Sequence, residues 1–181
     1  MDGTTGDCTV LQGLDRFVRG MAAELPHPGE GRTWQRFEVL ADWSARDLSL
    51  GRLVEGHADA LSILAEAGLA PQGARASYGV WAARAGHGGT VATPVPGGWS
   101  LTGIKPYCSG SEQLDRALIT ADSPDGYRLF DISVSEQVVA VERGSWPAVG
   151  MADSASATLT SACASSSRDA TTGSTASGSR S

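Results

Sequence analysis

The chain has 181 residues, 41% of them hydrophobic, which is enough to build one or two small cores. Its 14 basic and 20 acidic side chains leave a net charge of −6, and Lys105 is the sole lysine. Phosphate backbones are bound by clustered Lys and Arg, so this balance excludes nucleic acid as a partner. No run approaches the roughly 18 apolar residues that would cross a bilayer. Residues 1–9 are polar and acidic, without the basic-then-apolar order of a secretion signal. Cys8, Cys108 and Cys163 are odd in number and unevenly spaced, which points to reduced thiols rather than a disulfide frame or a metal site. A cytoplasmic protein is expected.

The pattern predicts a first helix over residues 11–25. Leu14, Phe17, Val18 and Met21 fall on one helical face, and Pro26-His27-Pro28-Gly29 breaks it. His27 reads as a solvated loop residue. Residues 33–69 are helical again. Phe37, Leu40 and Ala41 open one apolar face, and Trp34 reads as a packing anchor. A clearer stripe follows at Leu50, Leu53, Val54, His57, Ala58, Leu61, Leu64 and Ala65. Asp47 or Ser49 can cap its start, and Gly68 suits the left-handed position after its end. His57 lies inside the stripe and reads as a satisfied packing histidine.

From Ala76 onward the texture is that of short strands. Residues 78–83 are apolar, residues 84–89 form a glycine-rich loop, and residues 90–96 are β-branched and marked by proline. Trp99 and Leu101 alternate with Ser100 and Thr102, flanked by Gly97-Gly98 and Gly103. A polar loop over residues 105–110 and an apolar strand over residues 117–121 come next. Residues 127–132 alternate after a Ser-Pro-Asp-Gly turn. Residues 138–141 and 156–160 add two more strands. Strands this short and this regularly spaced predict a small antiparallel barrel or sandwich. The fold class is therefore α+β: N-terminal helices over residues 1–72, a β-domain over residues 73–160, and a tail over residues 161–181. That tail lacks any Leu, Ile, Val, Phe, Tyr or Trp. It cannot bury enough apolar surface to offset its ordering entropy, so disorder is expected. Trp146, before Pro147, reads as a second packing anchor, and Lys105 as a solvated hairpin residue. Glu112, Glu136 and Glu142 sit in polar stretches and are expected at the surface.

Gly97-Gly98, Gly103-Ile104-Lys105, Tyr107, Cys108, Ser109 and the strand ending at Ala121 follow one another in an order that resembles the middle β-domain of the acyl-CoA dehydrogenase family. The resemblance runs from about Trp34 to Leu159, and residues 36–68 resemble the last helices of that family's N-terminal domain. It implies an FAD cofactor and an acyl-CoA or related small-molecule substrate. It also implies α,β-dehydrogenation of an acyl thioester, in which the cofactor carries the hard chemistry and the protein supplies placement and electrostatics. Two loops would hold the flavin. In the first, Val80-Trp81-Ala82 stands where the family has Leu-Thr-Glu, and Gly86-His87-Gly88 where it has Gly-Ser-Asp. The acidic residue and both hydroxyls are missing. Main-chain N–H groups at Val80, Trp81 and Ala82 can still donate, because they do not depend on side-chain type. Gly88 falls on the substrate side.

In the second loop, Tyr107 takes the place of the aromatic over the flavin and Ser109 the hydroxyl near its N5, with Cys108 between them. Cys108 itself reads as a small buried hydrophobe rather than a nucleophile. Residues 150–156 resemble a turn that brings Ser154 or Ser156 near the substrate or the pyrophosphate. The departures in the first loop point away from a standard acyl-CoA substrate and toward the family's divergent branch, which includes flavin monooxygenase-like members. The family's C-terminal helical bundle, with its catalytic carboxylate and main homo-oligomer interface, has no counterpart here. No catalytic base is therefore nominated, and homo-oligomerisation is not expected to carry over. Three functions stay open: a truncated dehydrogenase, a flavin-dependent monooxygenase or oxidase of the same fold, and a non-catalytic remnant that binds no flavin. The abrupt change of composition near Thr160 is what a frameshift in a GC-rich gene would give. Sequencing the DNA across codon 160 should reveal a homologous continuation in another frame, and its absence from both other frames would remove the idea.

Overall fold

The computed structural model describes residues 5–84, 89–142, 149–161 and 168–170. Three helices lead: α1 (Thr5–Gly20), α2 (Thr33–Arg46) and α3 (Leu48–Glu66). Eight strands follow: β1 (Tyr78–Trp81), β2 (Thr90–Val95), β3 (Gly98–Cys108), β4 (Arg116–Ser123), β5 (Gly126–Ser133), β6 (Val138–Glu142), β7 (Ala157–Ser161) and β8 (Arg168–Asp169). They form one sheet in the order β6-β7-β3-β2-β4-β5-β8, with β1 also paired to β4. This is the α+β architecture read from the pattern, with one refinement. Five of the seven strand pairings are antiparallel, while β1 and β2 run parallel to β4 along the same edge. Among the described residues no helix is long and apolar enough to cross a membrane.

The helix α3 is central because almost all of its circumference is covered. Leu50, Leu53, Val54, His57, Ala58 and Leu64 are buried, and so are Ser49, Gly51, Gly56, Ala60 and Ser62 on the faces between them. Its first turn is capped by Asp47, whose carboxylate accepts the Leu50 N–H at 2.8 Å. Its last turn closes with the Gly68 N–H on Ala65 O and the Leu69 N–H on Leu64 O, with Gly68 at φ +69°. Gly51 lets α2 close on α3, since a Cβ there would lie 2.7 Å from Ser44 Cα.

The other helices depart from the expected faces. The first begins earlier than its stripe and stops at Gly20, and a 3-10 turn, Ala22–Glu24, leads to Pro26. Leu14 and Phe17 are buried, while Met21 is exposed. In α2 the buried side chains are Arg36 and Trp43, whereas Phe37 and Trp34 lie outside. Trp34 is thus no packing anchor; its indole donates to Glu38. Burying Arg36 is possible because its charge is answered, by Asp59 at 2.8 Å and the Pro26 carbonyl at 3.1 Å. A hydrophobicity pattern has no access to that pairing, and so the face turns by one residue. His27 is likewise not a solvated loop residue. It is half-buried, and its Nδ1 shares a hydrogen bond with Ser62 Oγ at 3.1 Å.

The residues 98–108 form one continuous strand, so the polar loop expected at residues 105–110 begins only after Cys108. Gly103 is no turn either. It sits within the strand at φ +123°, where a Cβ would come 2.1 Å from Gly89 O. Lys105 is the clearest correction: it is 4% exposed, with Nζ donating to Thr120 O and Thr120 Oγ1. Four residues of the segment expected to be disordered are described, Ser161 at the end of β7 among them. Arg168–Asp169 pairs with β5, and Ala170 is buried against Leu64, Tyr78 and Leu118. Trp146, Cys8 and Cys163 fall outside the residues whose surroundings are described. Glu112, Glu136 and Glu142 are exposed.

His57 is the packing histidine that the stripe implies. Its Nδ1 accepts the Tyr78 N–H at 3.1 Å, so the neutral ring carries its proton on Nε2. Burial depresses its pKa from the usual 6.5 to about 4. As the pH falls below 6.5 the unfolded chain takes up a proton that the native state refuses until about pH 4. Stability is therefore full above that window and declines through it, by about 3 kcal/mol at its acid end. Urea unfolding between about pH 7.5 and about pH 4.5 should show this decline. His57→Gln should flatten it, and an unchanged slope would assign the effect to other groups.

Candidate functional site

Two turns meet on the N-terminal half of α3. One, over residues 107–111, follows the end of β3. The other, over residues 149–156, precedes β7 and contains a short 3-10 helix, Ala152–Ser154. They are stitched together by main-chain and hydroxyl bonds. The Gly110 N–H donates to Ser154 O at 2.7 Å, Ser111 Oγ donates to Ala155 O at 3.0 Å, and Ser109 and Ser156 share a hydrogen bond of 2.9 Å. Ser154 and Ser156 are joined at 3.0 Å, and Ser154 Oγ also donates to Met151 O. Three hydroxyls in a row thus bridge segments 45 residues apart in sequence. Gly110, at φ +70°, is required here because a Cβ would press on Leu114 at 2.7 Å and Leu53 at 3.1 Å.

A cavity of about 390 Å³ opens where the turns meet, lined by Arg52, Tyr107, Ser109, Met151, Ser154 and Ser156. Tyr107, Ser109, Ser154 and Ser156 are residues that the sequence nominated, and the fold brings them to one place. Val80 and Trp81 line a much smaller void next to it, which shares Arg52 and Ser109 with the larger one. The Trp81 indole donates to the Ser109 carbonyl at 3.0 Å and so fixes the turn from behind. Ala82 lies exposed beyond the end of β1 and lines neither space. Cys108 points the other way, into the core, with Sγ donating to Lys105 O at 3.3 Å. Burial pushes its thiol up to about 12, so it offers no thiolate. Gly88 lies outside the described residues.

Sequence reasoning missed Arg52 and Met151. Arg52 lies beside the apolar stripe of α3, and nothing in the pattern singles it out. In the structure it contributes a positive charge to the lining and pairs with Glu55 on the same helix. Met151 carried no polar chemistry to single it out. Its signal is conformational: the described residues include three non-glycine positions with left-handed φ, namely Tyr107 (61°), Met151 (59°) and Ala155 (44°). All three belong to these two turns. Strain gathered in one place is retained only where the surroundings over-determine it, and it is commonest at ligand sites.

Among solved structures the chain is similar to dibenzothiophene monooxygenase TdsC from Paenibacillus sp. A11-2, at 22% identity and TM-score 0.54 over 87% of this chain and 49% of that one. A second structure of TdsC, bound to FMN, gives 21% identity and TM-score 0.55, with 87% and 50% covered. FkbI, described as acting in biosynthesis of a methoxymalonyl extender unit, gives 19% identity and TM-score 0.64 over 91% of this chain and 50% of that one. The HsaA monooxygenase from M. tuberculosis gives 15% identity and TM-score 0.54, with 86% and 52% covered. The chain therefore shares the fold of these proteins and spans about half their length. No family model and no curated protein matches the sequence.

The strain at Ala155 can be tested without any ligand. Ala155→Gly removes a Cβ from a left-handed backbone and should stabilise the protein by about 1 kcal/mol in urea unfolding. A loss of stability instead would mean that the methyl group packs more favourably than the backbone is strained.

Proposed function

We propose that this chain carries the flavin-facing part of an oxidoreductase of the acyl-CoA dehydrogenase fold, and that the cavity around Ser109 seats the isoalloxazine edge. One observation carries this reading. The residues nominated by family resemblance from two distant segments, Tyr107 and Ser109 on one side and Ser154 and Ser156 on the other, line a single cavity. The lining suits such a ring. Tyr107, 57% exposed, offers an aromatic wall, and the linked hydroxyls of Ser109, Ser154 and Ser156 can turn to donate or accept. Arg52 adds a positive charge to the same lining. A charge near the ring is one of the means by which a protein tunes a flavin.

A bound flavin would supply the redox chemistry. The chain's own residues orient it and keep water from one side: Tyr107 by covering a face, Ser109 by fixing an edge, and Trp81 by holding the Ser109 carbonyl in place. Oxygenation is preferred over dehydrogenation of an acyl thioester. The first loop lacks the family's Thr-Glu and Gly-Ser-Asp elements, with Val80-Trp81-Ala82 and Gly86-His87-Gly88 in their place. Solved structures of similar fold include proteins named as monooxygenases, one of them bound to FMN. FMN and FAD are both candidates, since the hydroxyls and the aromatic wall address the ring they share. Dehydrogenation is the second reading, resting on the resemblance over residues 34–159.

Visible absorbance of the purified chain, with FMN or FAD added, tests the proposal directly. A bound-flavin spectrum is expected, with affinity lowered about tenfold or more in Ser109→Ala and in Tyr107→Ala. A folded chain that binds neither flavin would overturn the assignment of this cavity. Oxygen consumption with reduced flavin, set against reduction of an electron acceptor with acyl-CoA, separates the two chemistries.

A further inference from the structure

Lys105 and Arg84 face a second cleft, which shares no lining residue with the cavity around Ser109. It has a volume of about 250 Å³, and its polar walls are Arg84, Thr90, Lys105, Thr120, Asp122 and Tyr127. In this acidic chain seven of the arginines are held in ion pairs with carboxylates. The two cations of the cleft have no carboxylate within ion-pair distance among the described residues. Arg84 instead lies over the Tyr127 ring, at 4.1 Å from its centroid. Lys105 spends two of its three N–H donors on Thr120, at 2.8 and 2.7 Å. The Tyr127 hydroxyl also donates to Thr120 Oγ1, at 2.6 Å, so both acceptor sites of that oxygen are filled.

Thr90 supplies an independent observation. The residue is 3% exposed, and its Oγ1 is buried without a hydrogen-bond partner. A buried hydroxyl left unpaired costs roughly 1–3 kcal/mol, and native proteins keep few of them. Here it borders a cleft that also holds the Lys105 ammonium and the Arg84 guanidinium, both set beside Tyr127 rather than in an ion pair with a carboxylate. Asp122 shares the lining, so the cleft carries two positive charges against one negative. That balance suits a single negative charge and opposes a double one. Ile104, half exposed at the rim, gives an apolar surface for a short carbon chain.

We propose that this cleft binds a small organic carboxylate, with its two oxygens shared among the Lys105 ammonium, the Arg84 guanidinium and the Thr90 hydroxyl. A guanidinium fork and an ammonium lining one cleft are donors that suit a planar carboxylate. The burial that makes Lys105 costly to charge would be offset by the bound anion.

The sole lysine makes the test direct. In the full chain labelled with ¹³C-lysine, one Cε signal reports on Lys105 alone. Titration with acetate or butyrate should move it saturably, and sodium chloride at equal ionic strength should not. Arg84→Gln, at an exposed position, should raise the half-saturation concentration about tenfold, and Thr90→Val about threefold. Inorganic phosphate should bind more weakly than acetate where it is dianionic, because of Asp122. A shift that never saturates, one that chloride reproduces, or one that Arg84→Gln leaves unchanged would overturn the proposal. Phosphate binding tighter than acetate would overturn the assignment to carboxylates.

Discussion

Tyr78 holds the two halves of the molecule in register. Its main-chain N–H is accepted by His57 on α3, and its hydroxyl donates to the carboxylate of Asp131 on β5 while accepting from Gln72 N. Asp131 is fully buried, and its charge is answered by Arg116 at the start of β4. Four elements therefore converge on one tyrosine through polar bonds made inside the protein. Such a network stabilises only when every member is satisfied, because a buried carboxylate that lost its arginine would face the full cost of desolvation. Tyr78 also belongs to the smaller of two buried clusters, which joins α3 to Leu118 and Ala170, while the larger unites α1, α2 and α3 with the sheet. The placement of β1 against α3 follows from it, and so does the position of Trp81 three residues later.

That position matters because Trp81 is what ties the Ser109 turn to the sheet. The candidate site is built by contact between two turns that have no reason to meet until β3 and β7 pair. The antiparallel register of Ile104 with Thr160 and Lys105 with Leu159 sets it, and the shift between Lys105 and Cys108 adjusts the strand end. The left-handed residues then aim Tyr107 and Met151 outward, while Cys108 and Leu159 remain in the core. One strand end thus serves both packing and the cavity, through alternation of its side chains.

Much of this was legible in the sequence. The stripe of α3, the Asp47 cap, the Gly68 stop and the strands at β1, β2, β4, β5, β6 and β7 were marked by periodicity and turn chemistry, which are local properties. The serines and tyrosine of the candidate cavity were legible only through resemblance, since a Ser-rich turn looks the same with or without a ligand nearby. Lys105 and His27 were misread, and the burial of Arg36 went unremarked, for a single reason. Each is polar, and polarity by itself predicts exposure. Each is buried or half-buried because a partner distant in sequence accepts or shares its hydrogen bonds: Thr120 for Lys105, Asp59 for Arg36, Ser62 for His27. Phe37 and Trp34 are exposed because Arg36 and Trp43 already hold the inward face of their helix.

The sequence by itself determined the kind and approximate limits of the three helices and of most strands, and the α+β class, because helix and strand periods, caps and turns depend on neighbours a few residues apart. Only the tertiary structure decided which polar side chains could be buried, which way α2 turned its face, and that Arg52 and Met151 join Ser109 at one cavity. Those outcomes depend on hydrogen bonds and close approaches between residues 15 to 100 positions apart in sequence, on the order of whole elements. A local pattern contains no record of such distances, and the energy of a buried charge is set entirely by what stands opposite it.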